Sequence, residues 1–406
     1  MVYCPAMQAY SLYIHIPFCS HRCCYCDFNT YAGLESLIPA YVAALCRELD
    51  YLKSVSEIRI PVHTVFFGGG TPSLLPPVEL VRIKSALEEA FDLLPGIEIT
   101  LEANPGTLSR PYLQDLRSLR VNRLSLGMQS ARPEELRLLE RQHDFRDVAR
   151  SVAWAREAGF DNLNLDLIFG LPYQSLEAWQ RSLELALGLA PEHFSLYALT
   201  LEHGTPLANW AGRGLITEPD TDLAAEMYEW AADRLEQAGY IQYEISNWAR
   251  TGEGGALMAC QHNLQYWRNQ PYLGIGAGAH GYAAGTRTAN VLSPRAYIQR
   301  FFPTHGAPAA PRLSFPLTPG TLHAESIDLK TEMGETMLMG LRLTREGVSK
   351  ASFRARFGHE IEDAFGVEIE GLRSQGLLTW GGGDRDRLQL TSRGRLLGNQ
   401  VFIQFI

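Results

Sequence analysis

Apolar and polar positions follow two alternating patterns along the first half of the chain. Short runs with a two-residue period predict six strands, and stretches with helical period lie between them. The predicted strands are residues 11–16, 64–67, 97–101, 123–126, 163–168 and 193–197. The predicted helices are residues 37–52, 77–93, 133–140, 144–157 and 175–187. Six strand–helix units predict an α/β fold with a parallel sheet, curled into a barrel or an incomplete barrel.

The last quarter of the chain has a different pattern. Helical period over residues 329–343, 349–357 and 361–374 is followed by two short alternating runs, 377–380 and 388–390. A glycine-rich turn between those runs predicts a hairpin, so the C-terminal domain is predicted to be mainly helical and winged-helix-like. Residues 327–406 contain 11 basic and 11 acidic side chains, which gives no positive surface for DNA. We interpret this domain as a packing or partner module, or as a lid.

These patterns divide the chain into five predicted segments. The segments are an N-terminal tail (1–10), a partial barrel (11–240), a segment that contains the motif around His262 (241–305), a linker (306–324) and the C-terminal domain (325–406). The linker is assigned from its proline and glycine content, because both residues interrupt regular structure.

Composition and charge narrow the class of protein. A net charge of −9 disfavours nucleic acid or an anionic membrane surface as the main partner. No apolar run approaches the length of a membrane-spanning helix, and the first eleven residues lack the features of a signal peptide. Seven cysteines, four of them within eight positions, suit a reducing compartment. The sequence therefore predicts a soluble, cytoplasmic protein.

A short loop after the first strand contains Cys19, Cys23 and Cys26. Three thiolates can hold three corners of a [4Fe–4S] cluster and leave one iron open to S-adenosylmethionine (SAM). A disulfide is disfavoured in a reducing compartment, and zinc would need a fourth ligand, for which His21 is poorly placed between two cysteines. Cys24 could replace Cys23 as a ligand, but we interpret it as a bystander. We predict a cluster.

Polar or glycine-rich residues follow five of the six predicted strands. In parallel α/β folds the strands end at one edge of the sheet, here called the carboxyl edge, and ligands bind there. Glycines let backbone groups approach a ligand closely, and Glu102 offers acceptors for ribose hydroxyls. Arg141 could pair with a carboxylate or could be a solvated helix residue. The residues at these strand ends are the loop cysteines, Gly68, Gly69, Gly70, Thr71, Glu102, Gln129 and Asp166.

Four motifs together resemble the oxygen-independent coproporphyrinogen III oxidase family of radical SAM proteins. The motifs are Tyr13-Ile-His-Ile-Pro-Phe-Cys19, the CxxxCxxC spacing, Phe67-Gly-Gly-Gly-Thr-Pro72 and Asp166-Leu-Ile-Phe-Gly-Leu-Pro172. The resemblance implies that the three cysteines bind the cluster and that Tyr13, Tyr25, Gly69 and Glu102 bind the SAM on it. It associates Gly70, Thr71, Gln129, Arg141 and Asp166 with a second SAM.

Two departures indicate the HemW-type heme chaperone branch of that family. The dehydrogenases resemble CxxxCxxCxC, whereas this chain has Phe28 at the position of the last cysteine, and only about ten residues precede the first strand. The string His262-Asn-Leu-Gln-Tyr266-Trp267 is similar to the heme-binding motif of the chaperone branch. Histidine is a common axial ligand of heme iron, and the two aromatic rings could lie against a porphyrin. On chemistry alone, a hydrogen-bonded, partly buried histidine is the more common role.

His280 and Cys260 are candidates for second heme contacts, although core packing is favoured for both.

Two functions follow from the resemblance. The first is a heme chaperone that carries a [4Fe–4S] cluster with exchangeable SAM and passes heme to an acceptor apoprotein, membrane-associated or not. It implies heme and an electron donor to the cluster as partners, and no nucleic acid. The alternative is a dehydrogenase that decarboxylates the propionates of coproporphyrinogen III by SAM-radical chemistry.

Overall fold

A computed structural model describes residues 8–303 and 312–406, so parts of the predicted tail (1–10) and linker (306–324) lie outside the described residues. The strands are β1 (Tyr10–Ile16), β2 (Phe18–Cys19), β3 (Tyr31–Ala32), β4 (Pro61–Gly69), β5 (Asp92–Ala103), β6 (Arg123–Gln129), β7 (Leu163–Phe169), β8 (His193–Ala198), β9 (Ile241–Glu244), β10 (Asn247–Ala249), β11 (Tyr272–Ile275), β12 (His280–Ala283), β13 (Thr286–Asn290), β14 (Thr321–Ser326), β15 (Val348–Ser349), β16 (Leu378–Gly381) and β17 (Arg387–Leu390). The helices are α1 (Ile38–Val55), α2 (Pro77–Ala90), α3 (Arg110–Ser118), α4 (Pro133–Leu138), α5 (Phe145–Glu157), α6 (Leu176–Leu187), α7 (Pro206–Gly212), α8 (Thr221–Gln237), α9 (Gln261–Trp267), α10 (Pro294–Phe301), α11 (Leu329–Gly340), α12 (Lys350–Phe357), α13 (Ile361–Ser374), α14 (Ser392–Leu396) and α15 (Gly398–Phe402).

The chain forms two compact units, each built from two stretches of sequence. Unit 1 comprises Met1–Ala231 and Pro271–Glu325, and unit 2 comprises Ala232–Gln270 and Ser326–Ile406. The five segments proposed from the sequence were assigned from its patterns and motifs, and they remain predictions. No helix within residues 8–303 and 312–406 has both the length and the apolar character needed to cross a membrane.

The six predicted strands form one parallel sheet in unit 1. Strands β1, β4, β5, β6, β7 and β8 are neighbours in that order, and each adjacent pair is parallel. The first and last of these strands do not pair with each other, so the barrel is incomplete. Aliphatic and aromatic side chains from these strands are fully or almost fully buried, as expected when helices cover a parallel sheet. They include Leu12, Ile14, Val65, Leu101, Leu124, Leu165 and Phe194. The predicted α/β fold class is confirmed.

Four further strands extend the sheet beyond β1, which the six-strand prediction did not include. β11 lies beside β1 and is parallel to it, with Ser11 opposite Tyr272, and β12 and β13 follow as antiparallel neighbours. The predicted helix over 77–93 also ends earlier, at Ala90. Its last predicted residue, Leu93, instead pairs with Val62 of β4, because β5 begins at Asp92.

A buried carboxylate fixes this extension of the sheet to helix α1. Glu48 is fully buried and accepts hydrogen bonds from Gly276 N (2.8 Å), Asn290 Nδ2 (2.9 Å), Tyr297 Oη (2.5 Å) and Thr318 Oγ1 (2.6 Å). A buried carboxylate needs such donors, because its charge is otherwise strongly destabilising. The Glu48 cluster, as we call these five residues, therefore joins α1 to four other segments of unit 1.

Unit 2 contains the predicted winged-helix-like domain. Helices α12 and α13 are followed by the β16–β17 hairpin, whose second strand also pairs with β15. Apolar side chains of these elements form one core, which includes Phe353, Ile361, Leu388 and Phe402. The mainly helical C-terminal domain with its hairpin is confirmed.

The segment 241–270 packs on residues from the C-terminal stretch within the same unit. Leu343 shares a buried cluster with Tyr243 and Leu264. Arg268 forms a bidentate ion pair with Glu346 (2.8 and 3.0 Å). Helix α9 is thus held by residues far along the chain.

Candidate functional site

The cysteine loop begins directly after β1, at the carboxyl edge of the sheet. Strands β2 and β3 pair in parallel, with Cys19 opposite Ala32, and bring the two ends of the loop together. Asn29 then anchors the loop, because its Nδ2 donates to the carbonyls of Ala277 (3.1 Å) and Leu292 (2.9 Å). Tyr31 Oη in turn donates to Asn29 Oδ1 (3.1 Å).

Cys19, Cys23 and Cys26 are free thiols that influence one another electrostatically. Burial raises the pKa of Cys19, and neighbouring Cys26 and Cys23 raise it further, against hydrogen bonds from Thr71 and Thr30. Burial likewise raises the pKa of Cys26. Thiolates that raise one another's pKa in this way are stabilised by a bound cation, which compensates their charge.

The other two candidates in the loop have different partners. Cys24 is fully buried and its Sγ donates to Leu138 O at 3.1 Å, so it lies in contact with α4. Burial raises the pKa of Cys24 to about 12. His21 Nε2 lies 3.5 Å from Glu140 Oε2 on a partly exposed surface. Cys24 therefore has a backbone partner of its own, and its role as a bystander stays a prediction.

Gly68, Gly69 and Gly70 lie where no side chain has room. A Cβ on Gly69 would come within 2.5 Å of the His15 ring, and its φ of +114° disfavours any residue other than glycine. A Cβ on Gly70 would lie 2.6 Å from Phe18 O and 3.0 Å from Cys19 Sγ. The end of β4 therefore presents backbone without side chains to the cysteine loop. We call Gly68, Gly69 and Gly70 the glycine cradle.

Tyr13, His15 and Glu102 surround this cradle. His15 Nε2 lies 2.9 Å from Asn29 O, and since a carbonyl only accepts, Nε2 carries the proton. Tyr13 Oη then donates to His15 Nδ1 (3.0 Å). Glu102 Oε2 accepts from Gly69 N (3.1 Å). Burial, with the nearby carboxylate of Asp166, raises the pKa of Glu102 to about 8.

A chain of polar side chains connects Cys23 to Cys19. Arg141 Nη1 donates to Cys23 Sγ (3.6 Å), and Arg141 Nη2 donates to Asn104 Oδ1 (2.5 Å). Asn104 Nδ2 donates to Thr71 Oγ1 (3.0 Å), and Thr71 Oγ1 donates to Cys19 Sγ (3.6 Å).

Gln129 ends β6 in a left-handed conformation (φ +62°), close to this chain of side chains. A Cβ on Gly127 would lie 2.9 Å from Gln129 Nε2 and 3.1 Å from Arg141 Nη2, so these two side chains meet over Gly127. Tyr25 packs beside Leu139, Ile168 and Leu171.

Asp166 is held inside the sheet by neighbours on both of its oxygens. Asn164 Nδ2 donates to Oδ1 (2.8 Å) and Ser125 Oγ donates to Oδ2 (2.9 Å). Behind them, His193 Nδ1 lies 2.6 Å from Asn164 Oδ1. Burial raises the pKa of Asp166. The structure therefore brings the residues predicted to bind SAM together at one edge of unit 1.

The donor set fits a cluster with SAM. The three thiols, the glycine cradle and a buried Arg141 Nε without a hydrogen-bond partner among the described residues leave acceptors and donors for a bound group. In the described part of the chain, no three His, Cys, Asp or Glu side chains converge closely enough to hold a single metal ion. A [4Fe–4S] cluster takes each thiolate on a different iron, so its ligands need not converge on one point.

The heme-motif residues belong to unit 2. His262 and Tyr266 lie on helix α9, where His262 is 1 % exposed and its Nε2 lies 2.9 Å from Tyr266 Oη. Their rings meet edge to face, with centroids 4.9 Å apart. The guanidinium of Arg342 lies 4.5 Å from the centre of the Trp267 ring.

The two further candidates differ in burial. Cys260 is fully buried, as expected for core packing. His280 is exposed at the start of β12, so the expectation of core packing for His280 is wrong.

Four further residues of this edge, His15, Asn29, Asn104 and Asn164, were not predicted from the sequence. His15 lies within the Tyr13–Cys19 motif, Asn29 lies three residues after Cys26, and Asn104 lies two residues after Glu102. Asn164 lies two positions before Asp166 on β7 and therefore faces the same side of the strand, and that spacing could have identified it.

Comparison with known proteins gives two family matches. The radical SAM superfamily matches residues 13–186, and the HemN C-terminal domain matches residues 327–397. A heme chaperone HemW of Bacillus subtilis is 38% identical over 401 residues, covering 98% of this chain and 99% of that protein. A heme chaperone HemW of Mycobacterium tuberculosis H37Rv is 38% identical over 97% of this chain and 94% of that protein.

Similarity extends to a mitochondrial protein and to a solved structure. A radical S-adenosyl methionine domain-containing protein 1 of Bos taurus is 38% identical over 92% of this chain and 83% of that protein. The fold resembles coproporphyrinogen III oxidase (HemN) from Escherichia coli, with a TM-score of 0.80 and 22% identity over 98% of this chain and 90% of that chain. At this identity the structural likeness concerns the fold alone.

Proposed function

The chain belongs to the radical SAM superfamily and, within it, to the HemW family, and on that premise we propose that it is a heme chaperone. It binds heme and passes it to an acceptor apoprotein, and it carries a [4Fe–4S] cluster with exchangeable SAM. The observation that carries the proposal is the 38% identity with a protein named heme chaperone HemW, which spans 98% of this chain. Such an overlap includes the cysteine loop and the His262 motif together.

Cys19, Cys23 and Cys26 would hold the cluster, and Tyr13, Tyr25, Gly69 and Glu102 would contact the SAM on it. When bound, the cluster supplies an electron for SAM chemistry. Glu102 accepts hydrogen bonds from ribose hydroxyls, and the bare backbone at Gly69 lets the amino-acid part of SAM approach.

A second SAM on the residues Gly70, Thr71, Gln129, Arg141 and Asp166 remains a proposal from the resemblance. It would compete with hydrogen bonds that several of these side chains make inside the protein. Asp166 uses both oxygens on Ser125 and Asn164.

His262 would be the axial ligand of heme iron, with Tyr266 and Trp267 against the porphyrin. Its Nε2 pairs with Tyr266 Oη at 2.9 Å, and a nitrogen that binds iron must give its lone pair to the metal. Heme binding through Nε2 therefore requires the Tyr266 hydroxyl to move away. This hydrogen bond would hold the imidazole in place until heme arrives.

The proposed partners are heme, a heme-accepting apoprotein, membrane-associated or not, and an electron donor to the cluster, in the cytoplasm. Nucleic acid is not among them, because the winged-helix-like domain carries equal numbers of basic and acidic residues.

A second candidate is oxidative decarboxylation of coproporphyrinogen III. One observation favours it: the carboxyl edge retains a complete set of polar groups around the cysteine loop, which a simple carrier does not need. Against it, Phe28 occupies the position of the further cysteine of the dehydrogenases, and its side chain is 64% exposed.

Heme titration of the anaerobically reconstituted protein tests the proposal. His262→Ala should lower heme affinity at least roughly tenfold and shift the Soret band, since the loss of an axial ligand removes about 1.4 kcal/mol or more. Tyr266→Phe should raise the affinity, because the hydroxyl no longer competes for Nε2. His359→Ala, an exposed histidine in the same unit, is the control.

Two results would contradict the proposal. An unchanged heme spectrum in His262→Ala would place the ligand elsewhere and remove His262 from the site. Multiple turnovers of coproporphyrinogen III by wild type, with SAM and reductant, would favour the dehydrogenase instead.

A further inference from the structure

Arg141, Asn104 and Thr71 form a directional chain of hydrogen bonds that ends on two cluster cysteines. The arginine donates to Asn104 (2.5 Å) and to Cys23 Sγ (3.6 Å). The asparagine donates to Thr71 (3.0 Å), whose single hydroxyl proton is then left for Cys19 Sγ (3.6 Å). Every proton in this chain points away from the guanidinium and toward a thiol.

Backbone contacts fix both ends of this chain. Arg141 Nη2 also donates to Gly127 O at 2.9 Å. Thr71 is 2% exposed, and its N–H donates to Phe18 O at 2.8 Å, next to Cys19. The side chains are therefore preorganised, and little conformational entropy would be lost when they interact with a bound cluster.

We propose that Arg141, Asn104 and Thr71, here called the Arg141 brace, act as positioning residues that raise the reduction potential of the [4Fe–4S] cluster. This inference rests on the proposed function, since it requires that Cys19 and Cys23 hold a cluster. Hydrogen bonds to cluster sulfurs and nearby positive charge stabilise the reduced state, which carries one more negative charge. The brace supplies both effects to two of the three thiolates.

The brace and a second SAM site would use the same residues for different purposes. Both Nη atoms of Arg141 already donate within the protein, and Asn104 is engaged at both its oxygen and its nitrogen. A SAM carboxylate on Nη2 would have to displace Asn104 Oδ1 or Gly127 O, because both protons of that nitrogen are already donated. The brace therefore predicts that replacing Arg141 or Thr71 changes the cluster potential even when no SAM is present.

Redox titration of the full-length reconstituted protein, followed by electron paramagnetic resonance in the absence of SAM, tests the brace. Arg141→Gln should move the midpoint potential to a more negative value, because a charge and a thiolate hydrogen bond are lost. Thr71→Val, which keeps the side-chain volume, should move it in the same direction by a smaller amount. Thr71→Ser should have the wild-type midpoint potential, because serine keeps the hydroxyl group.

Arg137→Gln is the matched control, since it removes an equal charge from an exposed side chain on α4 that bonds to Pro133 O instead.

Unchanged potentials in both Arg141→Gln and Thr71→Val would overturn the brace while leaving the cluster and the chaperone proposal intact. Loss of one of two bound SAM molecules in Arg141→Gln, measured by calorimetry with an unchanged potential, would overturn it in favour of a second SAM site. A wild-type protein that takes up no cluster would overturn both proposals. Should Arg141→Gln not retain its cluster, the isosteric Thr71→Val decides the question alone.

Discussion

At the scale of single residues, Glu102 is a proposed SAM-binding carboxyl group whose surroundings change its protonation. It accepts a hydrogen bond from Gly69 N, which favours its ionised form, but burial and the neighbouring Asp166 carboxylate disfavour that form more strongly. Its pKa is consequently raised to about 8, so near neutral pH it is mostly protonated. A cationic ligand such as SAM favours the ionised form.

We expect SAM affinity of the cluster-loaded protein to increase as pH rises through about 8. A raised pKa means that the proton is held below this pH and lost above it, so roughly a tenfold gain is expected from one unit below to one unit above. Calorimetry over this range measures the change. Glu102→Gln should bind weakly with little pH dependence, whereas the exposed Glu89→Gln should behave like wild type. A pH-dependent affinity that persists in Glu102→Gln would assign the effect to another group.

Adjacent cysteines show what residue-level reasoning can and cannot predict. The CxxxCxxC spacing predicted Cys23 as a ligand and Cys24 as a bystander, and the two thiols indeed contact different partners: Arg141 for Cys23 and Leu138 O for Cys24. The spacing could not identify Arg141 as the partner of Cys23, because that arginine lies 118 residues away. Contacts of this range depend on the order of strands in the sheet.

At the scale of elements, helix α1 connects the first strands of the sequence to segments that come more than 200 residues later. Its Glu48 accepts four hydrogen bonds from residues 276–318, and its Tyr41 donates to His15 O (2.8 Å) in β1. Periodicity predicted α1 and the six central strands well, since each has a regular apolar pattern. It did not predict β11 as a neighbour of β1, because strand pairing leaves no signal in a local pattern.

Glu48→Ala should lower the free energy of unfolding by about 3–5 kcal/mol. Removing the carboxylate leaves several buried donors without an acceptor, and each costs about 1–3 kcal/mol. Urea denaturation measures the change, with Asp50→Ala, an exposed acid on the same helix, as control. If both variants unfold at the same urea concentration, the cluster around Glu48 does not stabilise the sheet extension.

At the scale of the whole molecule, each compact unit is assembled from two distant stretches of chain. The proline- and glycine-rich composition predicted a boundary near residue 325, which stays a prediction. The second stretch of unit 2 begins at Ser326. Composition could not show that residues 232–270 join the C-terminal domain, because Leu343 meets Tyr243 and Leu264 only in the folded chain. The motif around His262 is therefore supported by the C-terminal stretch of the sequence.

A chain that ends at Glu325 should lose the fold of residues 232–270. Without Leu343 the segment loses part of its buried apolar cluster, and without Glu346 it loses the ion pair of Arg268. The locally unfolded state of the segment therefore becomes more populated. Limited trypsin digestion should cut at Arg250 and Arg268 about tenfold faster or more than in the full chain. Equal protection of both sites in the two chains would show that the segment folds independently.

The anchoring of the cysteine loop has a consequence for the order of events during synthesis. The loop is among the first parts of the chain to leave the ribosome, but Asn29 depends on Ala277 and Leu292, which lie 248 and 263 residues later. At about 5–20 residues per second, the loop waits for tens of seconds before its anchors exist. Iron and sulfide delivered before that time would meet thiols on an unanchored loop. A cluster on this loop is therefore expected to assemble only after Ala277 and Leu292 have been synthesised and folded into place.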